Sequence, residues 1–202
     1  MEFIAQANCD VWLLTEVPYT FSMEPGQWRF SGLMGGPDKV FAAVWAKAGL
    51  EHLGREHETA AFATVNGVRV CSCVLPWRAA SSQSWPDKGD LATITHTAVD
   101  SLRTRLVHGA GELVWGGDWN QELEGPLRVG TKEGRRAVSA LITELDSQTP
   151  TSGLDHVTGD RSIDHIAIPR SWTVGKHEQL PAVADDGTRL SDHDAYIVEV
   201  GV

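Results

Sequence analysis

The chain has few of the residues that tie small secreted folds together or anchor a protein in a membrane. It contains three cysteines in 202 residues, at positions 9, 71 and 73, which give neither an even disulfide framework nor paired metal-binding CxxC motifs. No apolar run approaches the ~20 residues that a membrane span needs, and residues 1–7 lack the pattern of a secretion signal. We therefore expect a soluble, cytoplasmic protein with reduced thiols and no membrane span.

Positive charge is also scarce. Seventeen Lys and Arg residues stand against 27 Asp and Glu residues, which gives a net charge of −10. Such a field repels polyanions and disfavours tight nonspecific binding of nucleic acids, although a locally positive groove or a bound divalent metal can still present a phosphate site. No repeat, low-complexity tract or flexible linker divides the sequence. With 42% apolar residues, residues 1–202 are expected to form one globular domain.

Many short apolar runs alternate with two amphipathic segments. Strands are predicted at residues 11–17, 40–46, 113–115, 163–168 and 195–200, with a further candidate at 172–180. The Asn66-Gly67 dipeptide joins the β-rich runs 58–65 and 68–75, which predicts a two-residue hairpin. Apolar residues at helical spacing predict helices at about 90–108 and 133–145. Many strands, few helices and a hairpin favour two packed sheets with outer helices over a parallel doubly wound sheet.

Polar and ionisable residues recur where these strands begin or end. They are Glu16, Asp118 with Asn120, Asp164 with His165, and Asp192 with His193. Strand ends can bring such groups together at one rim of a scaffold. Carboxylate oxygens with few thiols favour Mg²⁺ or Mn²⁺ over zinc. The pattern therefore predicts metal-assisted attack on a phosphate ester.

Each of these positions also has a simpler interpretation. Glu16 could be a strand-end residue turned towards solvent. Asp118 and Asn120 follow two glycines, in a turn where Asp and Asn are common for backbone reasons alone. Asp192 and Asp194 could be turn residues, and His193 a surface histidine. The four clusters together favour the functional interpretation.

Four of these segments resemble motifs of the endonuclease/exonuclease/phosphatase family, the DNase I-like metal-dependent phosphoesterases. They are TEV at 15–17, GGDWN at 116–120, SIDHI at 162–166 and SDHDAY at 191–196, in the family's order and with fitting separations. The resemblance spans residues 11–200. It implies an α/β four-layer sandwich, with two mainly antiparallel β-sheets packed face to face and helices outside.

The resemblance also implies roles for individual residues. Glu16 is similar to the metal-binding glutamate, and Asp192 to the aspartate near the metal, which would be Mg²⁺ or Mn²⁺. Asp118 and Asn120 resemble the pair that orients or deprotonates the attacking water. His193 resembles the histidine at the phosphate, and Asp164 the carboxylate that holds its ring. His165 is interpreted as structural, because it follows Asp164 in a strand and faces the other way.

The sequence departs from the family pattern in two places. The family's first strand, which ends beside the metal, is expected to be absent, since residues 1–8 resemble only the end of the helix that follows it. Either the product starts upstream, or the chain is truncated, or another segment fills the position. At residues 75–78 (LPWR), relatives often carry a Tyr or His. Trp77 could stack on a base or sugar there, or simply cover the sandwich, and Arg78 could bind a phosphate.

The expected function is hydrolysis of phosphodiester or phosphomonoester bonds by metal-assisted attack of water. The substrate is a phosphoester, with DNA and RNA among the candidates; the net charge favours a small or transiently bound one. The alternative, motivated by the missing strand, is a catalytically impaired member of the family that acts as a binding or regulatory module. No protein partner can be inferred.

Overall fold

The computed structural model describes residues 4, 6–34, 36–54, 57–80, 85–157 and 159–202. In chain order its elements are β1 (Val11–Pro18), β2 (Gln27–Phe30), β3 (Lys39–Ala46), β4 (Leu50–His52), β5 (Ala60–Val65), β6 (Val68–Val74), α1 (Leu91–Val107), β7 (Leu113–Asp118), α2 (Lys132–Glu144), β8 (Ser147–Gln148), β9 (Asp164–Pro169), β10 (Thr173–Leu180) and β11 (Ala195–Gly201). Neither of these two helices is both long and apolar enough to cross a membrane.

A six-stranded sheet forms the centre of the molecule, in the order β4-β5-β6-β7-β9-β8. The predicted hairpin joins β5 and β6, and its turn residues Asn66 and Gly67 have φ of 50° and 87°, as a two-residue hairpin turn requires. β6 and β7 are parallel, while the other pairs are antiparallel. A parallel pair needs a crossover connection, and α1 lies in the connection between these two strands.

The two helices pack against one face of this sheet. α1 begins after Asp90, whose carboxylate caps the helix by accepting a hydrogen bond from the backbone N–H of Thr93 at 2.8 Å. Both helices bury apolar side chains in one core with Cys71, Cys73 and Trp115 of the sheet. Both of these cysteines are fully buried and neither forms a disulfide.

A second layer of strands covers the opposite face. β3 turns Ala42, Val44 and Ala46 towards apolar residues of β5 and β6. Its Trp45 packs on the far side, in a cluster with Trp12 and with residues from the segment before β1. The layer has two parts, a sheet in the order β1-β3-β2 and the pair β10-β11. The predicted class, an α/β sandwich of two mainly antiparallel sheets, is confirmed.

Within the described part of the chain, β1 pairs with β3 alone and β11 with β10 alone. In β1 only Trp12 and Val17 are buried. The other residues of this strand are partly or fully exposed. The expected absence of the family's first strand stays a prediction; residues 1–3 and 5, on which it partly depends, lie outside the described residues.

Candidate active site

Asp118 and Asp164 face each other at one end of the central sheet. β7 and β9 are antiparallel, and their register pairs these two residues directly. Asp118 is also fixed on its other side, because its carbonyl accepts a hydrogen bond from Leu75 N–H at 2.9 Å. Gly117 permits this close packing: its φ is 124°, and a Cβ there would lie 2.1 Å from the carbonyl oxygen of Cys73. The two carboxylates are thus held by the backbone of three strands.

Asn120 is bound directly to the Asp118 carboxylate. Its backbone N–H donates to Asp118 Oδ1 and its Nδ2 to Oδ2, each at 2.9 Å, and Nδ2 also donates to the Leu75 carbonyl at 3.0 Å. The two residues of the predicted pair are therefore in direct contact, and strand periodicity is not the cause. The strand ends at Asp118, and a left-handed backbone at Asn120, with φ of 50°, folds the side chain back.

His193 approaches this carboxylate pair from the C-terminal part of the chain. Its Nδ1 lies 2.7 Å from Asp164 Oδ2. The loop before β11 is held by Asp194, which is buried and accepts hydrogen bonds from Arg189 Nη1 at 2.5 Å and from the Ala182 N–H at 2.9 Å. Arg189 also donates to the His193 carbonyl. Asp194 therefore stabilises the segment that presents His193, which is more than the turn role that the sequence suggests.

Burial and neighbouring charges shift the pKa values of these groups. Burial, and then the neighbouring Asp164, raises the pKa of Asp118 to about 8. The hydrogen bond with Asp164 is the largest cause that raises the pKa of His193 to about 9. Asp118 and His193 also act on each other, which lowers the pKa of Asp118 and raises that of His193. Strongly shifted pKa values of neighbouring titratable groups are typical of a functional site.

Glu16 and Asp192 lie at the margin of this group. The charge of Glu16 contributes to the raised pKa of Asp118, and that of Asp192 to the raised pKa of His193. Both side chains are exposed, and Glu16 Oε2 lies 3.8 Å from Lys39 Nζ. Glu16 has a left-handed backbone with φ of 53°, which is rare for Glu and recurs at functional sites. Their predicted role as metal ligands stays a prediction.

The other sequence-predicted residues lie beside the site or beneath it. Trp77 and Arg78 follow Leu75, the residue whose carbonyl accepts from Asn120. Trp77 is half-buried with its ring edge against Trp85, with ring centroids 5.9 Å apart, and Arg78 is exposed. Their role with substrate stays a prediction. His165 is buried and its Nε2 lies 2.9 Å from the carbonyl oxygen of Gln121, as expected of a structural residue.

His156 is a member of this cluster that the sequence did not indicate. Its ring packs edge-to-face on His193, with ring centroids 5.4 Å apart. One ligand atom from each of His156, Asp164 and His193 lies within 4.8 Å of the others. His156 sits in a loop with no periodic pattern, so only the tertiary structure brings it here.

Comparison with known proteins adds evidence on the fold. No family model and no curated protein matches the chain. Among solved structures, the 3′-5′ exonuclease NExo of Neisseria meningitidis superposes with a TM-score of 0.69 at 15% identity, over 98% of this chain and 91% of that one. An endonuclease/exonuclease/phosphatase protein of Beutenbergia cavernae has a TM-score of 0.67 at 15% identity, over 98% of this chain and 64% of its own. The endonuclease domain of the retrotransposon TRAS1 reaches 0.63 at 14% identity, covering 98% and 89%. The chain therefore has the DNase I-like fold that endonuclease/exonuclease/phosphatase proteins share.

Proposed function

We propose that this chain hydrolyses phosphoester bonds with the help of Mg²⁺ or Mn²⁺. The observation that carries the proposal is the series of neighbours from Asn120 to His193: Asn120 hydrogen-bonds to Asp118, Asp118 is paired with Asp164 across two strands, and Asp164 bonds to His193. It unites three distant parts of the chain at one end of a rigid sheet. A site built on strand ends keeps its groups in fixed mutual positions, which catalysis by proton transfer and charge stabilisation requires.

Each residue has a distinct part in this proposal. Asp118, in its ionised form, accepts a proton from the attacking water, and its two hydrogen bonds from Asn120 hold the carboxylate in place. His193 donates a hydrogen bond to a phosphoryl oxygen as negative charge develops there. Asp164 is a positioning residue: its bond at 2.7 Å to Nδ1 leaves Nε2 to face the substrate. Positioned proton transfer contributes about 10²- to 10⁴-fold to rate.

The donor types at the margin of the site suit a hard divalent cation. Glu16 and Asp192 would hold it, and both offer carboxylate oxygens, the ligands that Mg²⁺ prefers. The mutual repulsion among Glu16, Asp118 and Asp164 is evident in the raised pKa of Asp118, and a cation would relieve it. When bound, such an ion neutralises phosphate charge and activates water.

Several features support a phosphate-bearing substrate and leave nucleic acids among the candidates. Arg78 places an exposed guanidinium a short way along the chain from Leu75, and Trp77 adds an aromatic surface. One structural neighbour, a 3′ phosphatase NExo from Neisseria, is described as bound to a product DNA hairpin. The net charge of −10 argues against tight sequence-independent DNA binding, so we propose a small phosphoester or a transiently bound nucleic acid.

The test is hydrolysis of bis(p-nitrophenyl) phosphate, alongside double-stranded DNA, single-stranded DNA and RNA at one fixed salt concentration. Wild-type protein is compared with Asp118→Asn, and with Asp100→Asn, the same change at an exposed aspartate of α1. We expect release of product that depends on Mg²⁺ or Mn²⁺ and falls at least about 100-fold in Asp118→Asn only. Equal, metal-independent rates in all three proteins would overturn the proposal and favour a catalytically impaired binding module.

A further inference from the structure

We propose that His156, Asp164 and His193 form a second metal site, selective for Zn²⁺ and similar transition metals, whose occupation inhibits hydrolysis. The inhibitory effect rests on the proposed function, whereas binding does not. Its ligands differ from the expected Mg²⁺ ligands Glu16 and Asp192, which do not belong to the group of three, although Asp192 directly precedes His193 in the chain.

The three side chains are close enough to share one ion. A ligand atom of each lies within 4.8 Å of those of the other two. Asp164 Oδ2 and His193 Nδ1 are 2.7 Å apart, and the two imidazole rings meet edge-to-face. Zinc–ligand bonds of about 2.0 to 2.2 Å separate neighbouring ligand atoms by roughly 3.3 Å in tetrahedral geometry. Small rotations of these side chains therefore suffice for all three to reach one ion.

The donor types select the class of metal. Two imidazole nitrogens and one carboxylate oxygen are the set found in zinc sites that keep a fourth position for water. Imidazole suits zinc and other transition metals, whereas Mg²⁺ prefers oxygen ligands and retains its waters. The carboxylates of Glu16 and Asp192 thus suit Mg²⁺, whereas the two histidines suit a transition metal.

Hydrogen bonds hold together the two segments that carry the histidines. His156 N–H donates to the Asp160 carbonyl at 2.8 Å, inside a turn that an isolated bridge between Asp155 and Arg161 closes. The hydroxyl of Tyr196 donates to the Asp155 carbonyl at 2.7 Å. Because Tyr196 follows His193 by three residues, it ties the His156 loop to the strand that His193 precedes. A preorganised pair loses less conformational entropy when it binds an ion.

Occupation of this site is incompatible with the proposed work of His193. If the ion takes Nδ1, it replaces the hydrogen bond that orients the ring on Asp164. If it takes Nε2, it covers the nitrogen that faces the phosphate. Either arrangement removes the hydrogen-bond donor from the reacting group, so micromolar Zn²⁺ is expected to inhibit in the presence of saturating Mg²⁺.

Binding is measured first, without reference to activity. Zn²⁺ is titrated by calorimetry into protein kept in excess Mg²⁺, and Co²⁺ is titrated in parallel to record the visible absorption of a tetrahedral site. The variants are His156→Ala and His156→Gln, with His177→Ala, an exposed histidine on β10, as the matched control. We expect one Zn²⁺ per chain and an affinity lowered at least about 100-fold in both His156 variants. Loss of a residue that only hydrogen-bonds to a metal ligand already lowers metal affinity about 10- to 100-fold, and His156 is proposed as a ligand itself.

Loss of binding in His177→Ala, or equal binding in the wild type and both His156 variants, would overturn the site. If one His156 variant does not unfold cooperatively on heating, it is not folded, and the other His156 variant alone is used to judge the site.

Inhibition is then measured as the ratio of hydrolysis rates with and without Zn²⁺ for each protein. If the chain binds Zn²⁺ through His156 but hydrolyses nothing, the proposed function fails while the site stands. If the chain hydrolyses phosphoesters but its Zn²⁺ affinity does not change when His156 is replaced, the metal site is refuted and the proposed function is not.

Discussion

Replacing Asp164 by asparagine tests how the structure positions its histidine. The wild-type carboxylate accepts the Nδ1 hydrogen of His193 at 2.7 Å, and only 16% of the Asp164 side chain is exposed. The variant keeps the shape of the side chain and removes its charge. A hydrogen bond to a charged group contributes about 1.5 to 3 kcal/mol. Since each 1.4 kcal/mol corresponds to a tenfold change in rate, turnover is expected to fall about 10- to 150-fold.

Two assays separate positioning from a general loss of structure. Turnover is measured at saturating substrate and Mg²⁺, and the pKa of His193 is followed by NMR of its ring Cε1–H in metal-free protein. The hydrogen bond with Asp164 is the largest cause that holds this pKa at about 9, so the variant's pKa should move down towards the ordinary 6.5. Asp155→Asn is the matched control, because this carboxylate of the adjacent loop pairs with Arg161 at 3.0 Å in an exposed position. An unchanged pKa and unchanged turnover in Asp164→Asn would refute the reasoning.

Three further predictions follow from other parts of the molecule. Glu16→Ala should raise the Mg²⁺ concentration for half-maximal activity at least about tenfold while lowering saturated turnover less; the reverse in a Mg²⁺ titration would contradict its role as a ligand. Gly117→Ala places a Cβ 2.1 Å from the Cys73 carbonyl and should destabilise by about 2 to 4 kcal/mol in urea unfolding. Gly36→Ala, with open space around it, should not, and equal stability of the two variants would be evidence against the packing argument. Burial lowers the pKa of His57 from 6.5 to about 4, so its neutral form stabilises the fold above pH 6.5. This contribution, about 1 to 2 kcal/mol for a partly exposed ring, should be lost as pH falls from 6.5 to 4. A His57→Gln variant with the same pH dependence in this range would exclude His57 as the cause.

The fold was predictable where local signals are strong. The buried run of β3, the Asn66-Gly67 turn and the two capped helices each carry their own pattern, and the structure confirms them. The strands β2, β4 and β8 were not predicted. They span four, three and two residues, which is too short for a periodic pattern, and they form because neighbouring strands offer backbone partners.

The candidate site was predictable only in part, for a related reason. Asp118, Asp164 and His193 lie in motifs at strand ends, where position in the chain indicates position in the fold. His156 has no such signal: a turn closed by Arg161 and a hydroxyl from Tyr196 place its loop. The sequence offers only a possible turn role for Asp194, because its burial depends on partners, Gln179 and Arg189, in other segments.

The most direct test of the account is to find where the oxygen of water goes. Hydrolysis of a phosphodiester in ¹⁸O-labelled water, followed by mass spectrometry and ³¹P NMR, reports which bond breaks. Attack on phosphorus by water that Asp118 deprotonates should place one ¹⁸O atom in the phosphate product for each bond cleaved, at a rate that Asp118→Asn reduces sharply. Label in the alcohol product, or phosphate labelling at the same rate in both proteins, would contradict the central claim.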